Sequence, residues 1–197
     1  MDRKTLESAA TDNTYLRGLL AVPIAFLLFL SALGNWSVGP FRHAWVFLVA
    51  VALLGVAYLL IDRYYKDTFG RTTPSDRQQR RQLIAVVVSV VVMIGVSTVL
   101  RSRAPWSLDL PVNPTAVAFA LVLLVTFVAG GGVKRHHAII LGVLAIAGLL
   151  PVWHGGDPSN IGLVMAGVAV LVIGILDHAL LVRTLGPVAA EDSNAGA

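Results

Sequence analysis

The chain has 197 residues, 56% of them hydrophobic and only 13% charged, with a mean hydropathy of +0.78 and a net charge of +4. Soluble domains carry about 25% charged residues, so a water-soluble globule is excluded as the leading architecture. Cysteine is absent, which removes disulfides, thiolate metal sites and cysteine nucleophiles.

Six apolar stretches fill the chain: residues 18–35, 44–61, 83–100, 115–133, 138–153 and 161–182. A bilayer core of about 30 Å needs about 20 helical residues to cross. Four of the stretches fit that requirement. The fifth is short, and the sixth fits only by carrying Asp177 and His178. The pattern predicts an all-α, polytopic integral membrane protein of six transmembrane helices arranged as three hairpins. Residues 1–17 form a cytoplasmic lead and 18–182 the transmembrane domain. Residues 62–82 form a basic loop within that domain, and 183–197 a small, polar tail expected to be disordered.

Residues 2–14 are polar, without a sustained apolar face, and Pro23 falls in the first turns of the first stretch, where its missing N–H does little harm. The start also has features of a signal peptide, with small residues at Ala32 and Gly34. Cleavage there would leave five spans. The long polar region before the apolar run favours an uncleaved anchor. Asn35, Gly39 and Pro40 break the first connector. In the second, the helix is expected to stop at Gly70, and Ser75 with Gln78 reads as a new helix start. Prolines 111 and 114 and Asn113 predict an extended connector at 101–114. Residues 130–132 are glycines closing the fourth stretch, and residues 153–160 read as a tight turn.

Basic residues alternate with the spans. Arg3, Lys4, Arg17, Arg63, Lys66, Arg71, Arg77, Arg80, Arg81, Lys134, Arg135 and Arg183 fall on one side, and Arg42, Arg101 and Arg103 on the other. The positive-inside bias then puts both termini in the cytoplasm, and the expected location is a bacterial plasma membrane. Trp36, Trp45, Trp106 and Trp153 all fall at ends assigned to the exterior, where an indole has an apolar body and a wet N–H.

Candidate chemistry is sparse. Ionisable groups within a span are costly and mark relays or pathways. Asp177 and His178 form one such pair, and Asp62 with Arg63 forms another at the end of the second stretch. Together the four are the candidate intramembrane polar site. A plainer reading pairs Asp177 with Arg63 at the cytoplasmic surface. Residues 60–63 and 175–178 also echo each other, which raises a hairpin duplication. His43 and His154 lie in loops, a poor arrangement for axial haem ligands. His136 and His137, beside Lys134 and Arg135, read as a basic interfacial cluster, with no metal site expected. The glycines before Lys134 lack phosphate-loop spacing. No cofactor and no catalytic constellation is predicted, and the chain leans away from an enzyme.

The basic loop (Arg63, Lys66, Arg71, Arg77, Arg80, Arg81) is a candidate surface for anionic lipid headgroups or a cytoplasmic partner, though topology alone requires such charges. Small residues four apart, Ala116 with Ala120 and Gly162 with Ala166, permit close helix packing within the bundle or in a homo-oligomer. Nucleic acid is not an expected partner, because the cations flank apolar runs. The leading functional expectation is a non-catalytic subunit, adaptor or regulator of a membrane complex. The alternative is a small proton- or ion-coupled transporter using Asp62 and Asp177/His178 near the cytoplasmic side.

Overall fold

The computed structural model describes residues 17–69, 76–101, 113–130, 132–149 and 158–185. Expectations for the N-terminal lead, Gly70, Arg71, Ser75, residues 102–112 with Trp106, residues 151–157 with Trp153 and His154, and the tail lie outside the described residues.

The described residues are helical, without a strand among them. A 3-10 turn, Gly18–Leu20, leads into α1, Ala21–Asn35. A second 3-10 turn, Gly39–Arg42, leads into α2, Ala44–Phe69. Then follow α3 (Asp76–Arg101), α4 (Pro114–Gly130), α5 (Arg135–Leu149) and α6 (Pro158–Leu185). Among the described residues, three segments are long and apolar enough to cross a membrane: Gly18–Asn35, Ala44–Phe69 and Asn160–Thr184. The sixth stretch does contain Asp177 and His178 within one unbroken helix. At 17 and 15 residues, α4 and α5 are shorter, and α5 reaches only about 22 Å.

Local chemistry explains the helix ends. After α1, the N–H of Val38 donates to the Leu33 carbonyl at 3.1 Å and that of Ser37 to Gly34 at 3.0 Å. This six-to-one and five-to-two pair is the Schellman arrangement, and it needs a left-handed residue between. Ser37 takes that role with φ 54°, so the stop is set by neither Asn35 nor Gly39 alone. At the start of α4, Asn113 is the cap: its Oδ1 accepts from the Ala116 N–H at 3.1 Å, and Pro114 occupies the first helical position, where no N–H is wanted. Helix α5 starts at Arg135, three residues earlier than the hydropathy pattern suggests, and the Lys134 carbonyl accepts from Ala138 at 3.0 Å. That shift puts His136 and His137 inside the first helical turn.

The most extensive packing is of α6 along α1 and of α3 along α4; α4 also packs against α5 and α6, and the sequence neighbours α1–α2 and α5–α6 meet less extensively. Interior positions are mainly small: Ala25, Ala32, Ala116, Ala118, Ala120, Ala166 and Ala169 are buried, while many Leu, Val and Ile side chains point outward. Large aliphatic residues outside and small ones between helices suit a lipid solvent, where close backbone approach drives packing. A Cβ placed on Gly174 would lie 2.6 Å from the Gly18 carbonyl oxygen, so α6 meets the start of α1 backbone to backbone. The spaced small residues serve the same purpose. Gly162 lies against Asn113 and Thr115, and Ala116 and Ala120 pack with Leu144 and Ala169 inside the bundle.

Polar contacts gather at the two ends of the bundle. At one, Asn35 Nδ2 donates to Asn160 Oδ1 at 2.8 Å, and the Asn113 N–H donates to the Gly148 carbonyl at 2.7 Å. At the other meet Arg17, the last turns of α2, the first turn of α5 and the last turns of α6. The latter segments are those the charge pattern assigns to the cytoplasmic side.

Candidate functional site

Asp177 lies on α6 seventeen residues after Asn160, about 25 Å along the helix axis. It is 4% exposed. A bare carboxylate there would cost several kcal/mol, and it is met by two imidazoles from α5. His136 Nε2 lies 3.0 Å from Oδ1, and His137 Nε2 lies 3.1 Å from both Oδ1 and Oδ2. The Phe127 ring stacks on His137, with centroids 3.9 Å apart and planes 14° from parallel. A weak 3.4 Å contact from the Lys134 N–H touches His137 Nδ1. Helix α4 thus orients the buried imidazole, α5 supplies both rings, and α6 supplies the carboxylate.

The other members of the sequence-predicted polar site go elsewhere. His178 turns away from Asp177, and its Nδ1 lies 2.9 Å from the Tyr65 hydroxyl. Tyr65 is fully buried, its oxygen also accepts the Leu19 N–H at 3.0 Å, and it forms a small core with Phe69 and Leu181. Asp62 meets Arg17 at 3.7 Å and pairs with Lys66 one turn on. Arg63 is exposed and meets Asp67 at 3.6 Å, so Asp177 pairs with two histidines and not with Arg63. The four predicted residues therefore fall into four separate polar groupings instead of one cluster. Of the basic loop, Arg63, Lys66 and Arg80 are exposed, and Arg77 and Arg81 lie on α3. Arg42 and His43, beside the opposite end of α2, are exposed, with Arg42 Nε donating to His43 Nε2 at 3.3 Å.

The faint echo between residues 60–63 and 175–178 has a structural counterpart. In α1–α2, Asp62 near the end of the second helix meets Arg17 before the first. In α5–α6, Asp177 near the end of the second helix meets His136 and His137 at the start of the first.

His136 and His137 are the functional candidates that sequence reasoning missed. Their signal was positional. Both histidines stand at the same end of the hairpin as Asp177, and Asp177 is the one carboxylate in its apolar run that needs a partner. No family model matches the chain, and comparison with curated proteins and with solved structures finds no match either.

Proposed function

We propose that this chain is a six-span membrane protein with both termini in the cytoplasm. Its activity is the uptake and release of a cation at Asp177, as in a small proton- or ion-coupled transporter. One observation carries the reading: a buried carboxylate in an apolar helix of membrane-spanning length, faced by two titratable rings from its hairpin partner. A purely apolar bundle would pack without it. Buried ionisable groups in such helices are expensive and belong to ion paths and relays. A carboxylate within hydrogen-bonding distance of two imidazole nitrogens gathers three potential cation-binding groups at one point. Its place near the basic end of the bundle leaves a short way to the cytoplasmic surface, and Arg17, Asp62 and Lys66 lie at that same end.

The purified chain in sealed vesicles loaded with a pH-sensitive dye tests this. Under an imposed membrane potential, vesicles with the native chain acidify or alkalinise faster than empty ones, and Asp177→Asn abolishes the difference. Equal rates for native and Asp177→Asn vesicles, with matched protein incorporation, refute the relay.

The adaptor reading has its own support in α2, whose apolar stretch has no buried side chain in its most hydrophobic window. Lipid covers such a face as well as a protein partner does. Purification from native membranes separates the two: a stoichiometric partner favours the adaptor, and flux by the chain alone favours the transporter.

A further inference from the structure

We propose that His136, His137 and Asp177 form a binding site for a first-row divalent transition metal of the zinc type, and that this ion is the cation taken up at the site. The proposal rests on the cation-uptake reading above and names its ligand class. Two imidazole nitrogens and a carboxylate are a borderline donor set that suits Zn²⁺ and its neighbours better than Mg²⁺ or Ca²⁺, which prefer all-oxygen shells.

Geometry supports the assignment. The ligand atoms of the three residues lie within 4.8 Å of one another. Zinc takes such ligands at about 2.0–2.2 Å, which puts neighbouring ligands of a tetrahedron about 3.3 Å apart. The separations of 3.0 and 3.1 Å between each Nε2 and the carboxylate differ from that spacing by only a few tenths of an ångström. Three protein ligands leave one tetrahedral position open, which is the pattern of sites that exchange a ligand and not of closed structural sites. His136 is partly exposed whereas His137 and Asp177 are buried, so the site is reached from the His136 side. The aromatic stack of Phe127 on His137 holds one ligand in place before any ion arrives.

The chemistry makes a definite demand. As hydrogen-bond partners of a carboxylate, which only accepts, both Nε2 atoms carry protons. A metal at Nε2 takes the place of that proton, which passes to Nδ1 of the same ring, so at His137 the 3.4 Å contact from the Lys134 N–H is given up.

The full chain, purified in detergent and stripped by a chelator, is titrated with Co²⁺ and read by visible absorption. One equivalent giving the intense bands of four-coordinate cobalt, displaced by one equivalent of Zn²⁺, is the expected result. Asp177→Asn and His137→Gln each weaken binding by at least about tenfold, as loss of even an outer-shell partner can. His43→Gln, at an exposed position by α2, binds like the native chain. His136→Cys adds a thiolate-to-cobalt charge-transfer band in the near ultraviolet, a signature that a merely structural histidine would not produce. Absence of four-coordinate bands in the native chain overturns the site, as does native-strength binding by both Asp177→Asn and His137→Gln. Asp177-dependent proton flux without cobalt binding removes the metal and leaves the proton relay. Stoichiometric cobalt binding without flux upholds the metal site and removes transport.

Discussion

Replacing Tyr65 by Phe isolates one oxygen that fastens three segments. The ring is fully buried, and its hydroxyl accepts the Leu19 N–H at 3.0 Å and shares a 2.9 Å hydrogen bond with His178 Nδ1. The Leu19 amide lies in the 3-10 turn that leads into α1, among the N–H groups a helix start leaves without an internal acceptor. Phenylalanine keeps the packing against Phe69 and Leu181 and the approach of the Arg17 guanidinium, 5.9 Å from the ring centroid. Only the two hydrogen bonds are lost. An abandoned, partly buried donor costs about 1–3 kcal/mol, and His178, being partly exposed, recovers a water at small further cost. Tyr65→Phe is therefore expected to destabilise the bundle by about 1–3 kcal/mol in reversible detergent denaturation. A double-mutant cycle with His178→Ala should give a coupling of at least about 0.5 kcal/mol, as for other side chains in contact. A Tyr65→Phe variant as stable as the native chain, with additive behaviour in the cycle, would refute the hydrogen-bonded junction.

The remaining predictions concern packing, surface charge and orientation. Gly174→Val drives a side chain into the Gly18 carbonyl and Ala21, and should cost about 1–3 kcal/mol or more by the same assay. A Gly55→Val control, with nothing near the added carbon, should cost far less. Arg63→Ala removes an exposed pair with Asp67 and should change stability by no more than about 0.5 kcal/mol. Because the chain has no cysteine, single substitutions report orientation cleanly. An impermeant thiol reagent applied to intact cells should label Val38→Cys and spare Lys66→Cys, and the reverse pattern would invert the proposed topology.

Helical class was legible in the sequence, because runs of apolar residues between short polar breaks admit little else. Composition alone also exposed the mismatch with water. These features depend on neighbours along the chain and on the solvent around it, so no tertiary knowledge is needed to read them. Helix ends were less legible: Ser37 adopts the left-handed turn residue's role, and α5 starts early enough to take in two histidines, because hydropathy reports burial and not backbone hydrogen bonding. The candidate site was half visible. Asp177 declared itself by its cost in an apolar helix, yet its neighbour in sequence, His178, turns to Tyr65, since successive helical side chains point about 100° apart. His136 and His137 stand 41 and 40 residues before the carboxylate they meet. Which side chains face one another across a hairpin depends on helix rotation and on how closely the small residues let the backbones approach, and those are decided only when the bundle packs.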